Sequence, residues 1–209
     1  MLQNSCSEDQ DKLQDKKQAT MDDISKLGKV YEMLDEDIFW YIVDKSVTES
    51  NSQEEQEKIL INEITKLPLK DIIGFRLRTD KLLFDTYNSE MWCAGYLMNQ
   101  GCSDDGFEYF RNWIISRGKE TYYNAETNPD SLISQIEHKA YGFYEFEGFW
   151  YVALEAFKTK TGQELYDYID YDNFKTREGN YPNFEFTWKE KEPESMKAIC
   201  PKLYKEFWN

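Results

Sequence analysis

The chain carries a single histidine, His138, and four cysteines, Cys6, Cys93, Cys102 and Cys200. One histidine cannot make a two-histidine metal site, and any Ser/His or Cys/His nucleophile would rest on His138 alone. His138 stands beside Lys139 at a helix end, where an imidazole can meet the last carbonyls. The cysteine spacings match no CxxC metal site and no disulfide framework, and Cys93 sits in an apolar run as a core thiol. Asp104 and Asp105 are adjacent carboxylates of the kind that serve acid/base or metal chemistry. A divalent oxygen site needs more ligands than this turn supplies, and the calcium-loop spacing is missing. The competing reading is helix-start chemistry, in which Ser103 caps and the two acids face the positive end of the dipole. Arg111 falls on the apolar side of its helix, between Phe107 and Ile115, and Glu155 is set in the apolar run YVALEAF. Charges so placed belong either to a buried network that fixes a bundle or to a ligand pocket. A carboxylate partner is therefore expected for Arg111, with Glu155 or Asp104 as the candidates.

A second group lies in LYDYIDYDNF, where Tyr166, Tyr168 and Tyr171 alternate with Asp167, Asp170 and Asp172. Tyrosines among acids on a surface suit recognition of a basic protein. The same segment could also be a tyrosine-rich wrap packed on the core, with its acids solvated. No GxGxxG, phosphate loop, HExxH or GxSxG is present, so the sequence reads with no cofactor and no metal.

The elements that must hold these residues centre on Trp92 to Gly118, WCAGYLMNQGCSDDGFEYFRNWIISRG. Met91 to Met98 is apolar all round, as a helix inside a bundle is. Gly101 is expected to be the left-handed stop, after which Ser103 caps the next helix. Phe107, Phe110 and Ile114 recur at helical spacing, with Trp113 and Ile115 widening that face. Upstream, Phe39 to Val43 reads as a helix capped by Asp35 or Asp37, and Ser52 with Glu55 forms a capping box. Pro68 stops one helix, and Ile72, Ile73, Phe75, Arg76, Leu83, Phe84 and Tyr87 run through the next. Downstream come Lys119–Ala125, a start at Asn128-Pro129-Asp130-Ser131, Phe149–Lys158, and a final helix opened by Pro193 and broken near Pro201. NYPNFEFTW alternates aromatic and polar residues and reads as one short strand or an extended wrap. The fold is thus expected to be all-α, an irregular multi-helix domain with at most a minor extended or strand segment near the C-terminus. Its domain spans 35–209, and 1–34 forms a polar arm, partly disordered or loosely helical.

The balance of 40 acids against 25 bases gives a net charge of −15. Such a surface repels nucleic acid and anionic lipid, which bind basic footprints, and it favours a basic protein partner or simply solubility. No stretch approaches the ~20 apolar residues that cross a bilayer, and the first residues lack an apolar export core. The expected setting is therefore cytoplasmic and reduced.

Trp92-x-Ala94-x-Tyr96 followed by Ser103-Asp104-Asp105-Gly106-Phe107-x-x-Phe110-Arg111-x-Trp113-x-Ile115-x-x-Gly118 resembles the signature of a bacterial Domain-of-Unknown-Function family, number 4240. Asn128-Pro129-Asp130-Ser131-Leu132, Tyr151-Val152-Ala153-x-Glu155-Ala156 and Thr161-Gly162-x-Glu164-Leu165 continue the likeness, which covers Asp35 to Trp208. The resemblance implies small bacterial proteins with no assigned reaction, some fused to other modules, and no catalytic residue that transfers here.

Two functions are compatible with this reading. One is a non-catalytic protein-binding or regulatory module, neutralising a basic partner in the manner of an immunity protein or antitoxin. The other is an enzyme of unknown reaction with a polar pocket around Asp104, Asp105, Arg111 and Glu155. In the first, aromatics and acids share an open face; in the second, Arg111 and the acids converge on a concavity. The oligomeric state is not encoded in any pattern found. Residues 1–20 hold too little apolar surface to offset their ordering entropy. Limited proteolysis is therefore expected to remove them and leave the domain from Asp35 intact; protection equal to that of Trp92–Gly118 would contradict the arm.

Overall fold

The computed structural model describes residues 24–138, 142–174 and 182–208. The arm expected over 1–20 lies outside the described residues. The fold is all-α, and among the described residues strand pairing is limited to isolated bridges such as Val30 with Ile169. Of the NYPNFEFTW stretch, 182–186 is irregular chain without a strand partner.

Helix α1, Glu36–Glu49, starts at Asp35, whose carboxylate accepts from the Asp37 and Ile38 amides. Helix α2, Gln53–Thr65, starts at Ser52, whose hydroxyl accepts from the Glu55 amide at 3.2 Å. The Glu55 carboxylate reaches back to the Asn51 amide rather than to that of Ser52, so the expected capping box is displaced by one residue. Pro68 separates α2 from α3, Leu69–Asp85, because it can neither donate to the preceding turn nor let Leu67 stay helical. Asn88 caps α4, Ser89–Asn99, and Ser103 caps α5, Asp104–Ser116. The left-handed stop between them is at Gln100, φ 58°, with Gly101 following at φ 140°. The stop is thus one residue before the expected Gly101, since glycine is the usual occupant but not an obligatory one.

Gly118, at φ 96°, turns the chain into α6, Lys119–Thr127. A Cβ there would lie 2.5 Å from an Asp44 carboxylate oxygen, the same oxygen that accepts from the Lys119 amide. Only glycine allows both the backbone turn and that approach. The Asn-Pro-Asp-Ser start forms a 3₁₀ segment, Pro129–Gln135, and Glu147–Trp150 forms another before α7, Val152–Thr161. Gly162, φ 72°, ends α7. The chain finishes with α8, Pro193–Ile199, and α9, Pro201–Phe207, each with proline in its first turn.

Helix α7 packs on α2 and α3, while α9 packs on α4 and on Pro129–Gln135. The core running through these elements is aromatic: Phe39, Trp40, Phe75, Phe107, Phe110, Trp113, Tyr122, Phe149 and Phe157 are all essentially buried. Cys93 and Cys200 are both fully buried within it, and the hydrogen bond between the thiols together with desolvation drives the Cys200 thiol far up in pKa. Of the stretch assigned to the arm, residues 24–34 are described and attached to the domain. Ile24 and Leu27 pack against the core, Val30 donates to Tyr168 O, and the Leu34 amide donates to Gly74 O.

The C-terminal helix is anchored by one side chain. Asp130 is buried, and its carboxylate accepts from the Lys202 and Leu203 amides, each at 2.9 Å, at the start of α9. A helix start has amides with no intrahelical acceptor, and here a carboxylate more than 70 residues upstream supplies it. Asp130→Ala leaves those amides without their acceptor, so chemical denaturation is expected to show a loss of roughly 1.5–3 kcal/mol. A change within error would contradict this anchoring.

Candidate functional site

The residues singled out by sequence fall in three places. Asp104 and Asp105 are exposed in the first turn of α5, beneath the Ser103 cap. Glu155 is exposed on α7, near Glu57, whose carboxyl is pushed up by burial and by the Glu155 charge. Arg111 is 2% exposed in the middle of α5. Its Nε donates to Phe107 O at 3.2 Å and its NH1 to Leu83 O at 2.5 Å. The guanidinium also lies over the rings of Phe107, 4.5 Å, and Tyr87, 4.9 Å. Among the described residues, main-chain oxygens and π faces receive the guanidinium, and neither Glu155 nor Asp104 is ion-paired with it. Of the four groups named for a polar pocket, Arg111 is buried, whereas Asp104, Asp105 and Glu155 are exposed.

A second buried arginine is what sequence reasoning missed. Arg76, also 2% exposed, lies on α3. Its NH2 donates to Asp80 Oδ1 at 2.6 Å and its NH1 to Trp150 O at 2.9 Å. The Trp150 ring lies under the guanidinium, 3.3 Å from Cζ to the ring centroid. Among the described residues Arg76 Nε has no hydrogen-bond partner. A signal existed in the sequence: Arg76 lies within the apolar periodicity of α3, and Asp80 comes at the i,i+4 position of a helical ion pair. Burial pushes the Asp80 carboxyl up, and the Arg76 charge and hydrogen bond offset only part of that rise. One edge of Asp80 keeps 20% exposure, and the guanidinium itself stays protonated. Glu108, half-buried on α5, is likewise pushed up by burial while Arg111 and Arg76 pull it down.

Above this pair comes the tyrosine segment. Leu165 and Ile169 are buried, and Tyr166, Asp167, Tyr171 and Asp172 are exposed around them. Tyr166 is 39% exposed, with its ring 5.9 Å from the Arg76 guanidinium, and Tyr171 is 56% exposed. Burial raises the Tyr171 phenol, and Asp80 and Tyr166 add to that rise while Arg76 opposes it. Tyr168 is half-buried against Phe157. Asp170 shapes the turn, accepting from the Asp172 and Asn173 amides and the Asn173 side chain, which lowers its carboxyl. Asp167 and Asp172 are exposed. The Val30–Ile169 bridge brings exposed Tyr31, 47% accessible, alongside.

Nucleophile chemistry finds little support. Cys102 is pushed up to about 12 by burial and by the nearby Glu145 charge, which keeps it a thiol at neutral pH. His138 is lowered by burial and by Arg117. Among the described residues no group of three or more His, Cys, Asp and Glu side chains is placed to hold a metal ion. No described helix is long and apolar enough to cross a membrane.

Residues 34–159 match the model of a family described as a protein of unknown function, DUF4240, and the chain belongs to that family. No curated protein and no solved structure matches it.

If the Arg76–Asp80 pair is a fixture of the α3 interior, its loss is strongly non-additive. Asp80→Asn leaves a buried guanidinium without its counter-charge, at about 2–4 kcal/mol after allowing for the solvated edge of Asp80. The double variant Arg76→Met/Asp80→Asn is expected to be more stable than Asp80→Asn alone. Additive losses in chemical denaturation would show that the pair is not coupled.

Proposed function

We propose that this DUF4240 chain is a non-catalytic protein-binding module that takes a basic partner on the face formed by Tyr31, Tyr166 and Tyr171 with Asp167 and Asp172. The observation that carries the proposal is the division of labour around Arg76. Below, the charges are consumed internally by Asp80 and the Trp150 carbonyl; above, tyrosines stand exposed in a chain of net charge −15. Tyrosine gives large contact area for little lost rotamer entropy, and its hydroxyl tolerates solvent in the free state. The Asp167 and Asp172 carboxylates are rim charges, which steer a basic partner and set its salt dependence more than its final affinity.

The stiffness of the platform supports the same reading. The segment is pinned from beneath by buried Leu165 and Ile169, and from the side by the hydrogen bonds Val30 N to Tyr168 O and Asp170 N to Val30 O. A surface already held in place loses less entropy on binding than a free loop would. An immunity- or antitoxin-like role in a bacterial cytoplasm is the form of this function that an acidic binder of basic proteins would take.

The test is capture from native lysate with the wild-type chain and with Tyr166→Ala/Tyr171→Ala. The variant keeps the buried residues and is expected to retain its circular dichroism spectrum and Tm. Its affinity for the captured partner is expected to fall by roughly 10- to 100-fold, as for loss of central aromatic anchors. Asp167→Asn/Asp172→Asn is expected to slow association and flatten the salt dependence while changing dissociation little. A partner held equally well by the tyrosine variant would place binding elsewhere and overturn the proposal.

A further inference from the structure

A polar cleft of about 360 Å³ opens between the end of α1, the start of α2, the end of α5 and the residues following Pro129–Gln135. It is lined by none of the residues of the tyrosine face. Its size falls within the range of small-molecule sites. Ser50, Ser52, Gln53, Gln56, Arg117 and His138 supply its polar surface, with Glu137 also on the wall.

Among the described residues that line this cleft, Arg117 is the permanent cation. It is half-buried, and its side chain makes a 3.4 Å bond from Nε to Gln135 Oε1. Among the described residues it joins no ion pair. Burial lowers its pKa. That contrasts with Arg76, where a desolvated guanidinium was given Asp80. In a chain with 15 more acids than bases, a partly buried arginine on a cavity wall without a paired carboxylate has room for one from outside.

The other walls narrow the ligand further. Gln56 is 3% exposed and spends both amide hydrogens, on Ser116 O at 2.7 Å and Ser46 Oγ at 3.2 Å. What it can offer the cleft is its carbonyl oxygen, an acceptor. Gln53 gives one amide hydrogen to Glu145 O at 2.8 Å. Glu137 adds a carboxylate. One cation with one carboxylate and amide acceptors does not suit a dianion. It suits a molecule that carries its own anion and its own donors.

We propose that this cleft binds a small zwitterion of the amino-acid class, its carboxylate on the Arg117 guanidinium and its ammonium toward Glu137 and the Gln56 carbonyl. Arg117 then fixes the carboxylate by its planar fork, and Glu137 discriminates for the positive end. The site is independent of partner binding at the tyrosine face, so either can fail without the other.

The experiment is a ¹H–¹⁵N correlation titration of the full chain with L-alanine, L-lactate, acetamide and inorganic phosphate. L-Alanine is expected to produce saturable shifts in the millimolar range at Ser52, Ser116, Arg117 and His138. L-Lactate, which lacks the ammonium, is expected to bind more weakly, and acetamide and phosphate not at all. Arg117→Met is expected to weaken L-alanine by roughly 10- to 150-fold, the range for losing a charge-assisted hydrogen bond. Glu137→Gln is expected to weaken L-alanine and leave L-lactate unchanged. Because Arg117→Met could perturb folding, the wild-type titration decides first. Absence of saturable shifts at those residues overturns the site, and L-lactate binding as tightly as L-alanine overturns the zwitterion. Phosphate binding more tightly than either overturns the ligand class.

Discussion

A guanidinium taken out of water costs several kcal/mol unless acceptors, a counter-charge or π faces receive it. Helices α3 and α5 each bring one such group, Arg76 and Arg111, both 2% exposed. Arg111 on α5 donates to Leu83 O near the end of α3, so the register of the two helices is set by where that oxygen falls. Arg76 on α3 donates to Trp150 O and rests on the Trp150 ring, which fixes the 3₁₀ segment just before α7. Two polar side chains thus tie three elements that aromatic packing alone would leave free to slide. Aliphatic cores are tolerant of small shifts, whereas a forked donor is met in one geometry or not at all. The same arrangement engages both guanidinium groups internally, which makes this interior a scaffold.

Much of the architecture was legible because helix ends announce themselves locally. Asp35, Ser52, Asn88 and Ser103 cap as their types require, and Pro68, Pro193 and Pro201 mark boundaries where a missing N–H forces them. The family likeness rested on the Ser-Asp-Asp-Gly turn and its aromatic helix, and the family match over 34–159 contains that block. The left-handed residue at Gln100 escaped because glycine is the usual occupant of such a stop, and Gly101 follows at φ 140°. The anchoring of α9 by Asp130 also escaped, since nothing local tells a helix start that its acceptor lies far upstream.

The candidate site was less legible than the fold. Arg111 stood out because it broke an apolar face, and it is indeed buried. Glu155 stood out for the same reason but is exposed on α7, because YVALEAF presents only one side of a short helix to the core. Pairing those two from sequence assumed that like anomalies meet in space. Arg76 belonged to the same class of anomaly as Arg111 and went unremarked among the apolar residues around it. Its partner Asp80 was one helical turn away. The cleft around Arg117 was invisible, since no motif marks a cation on the wall of a cleft built from four separate segments.

The central claim is that the buried arginines hold the scaffold and the tyrosine face does the binding. Arg111→Lys separates these roles, because lysine keeps the charge but cannot reproduce the fork that reaches Leu83 O and Phe107 O together. Tm and partner binding per folded molecule should be measured on the same preparation. A fall in Tm of roughly 4–10 °C with binding unchanged is the predicted result. An unchanged Tm with binding abolished would place Arg111 in the recognition site and contradict the account.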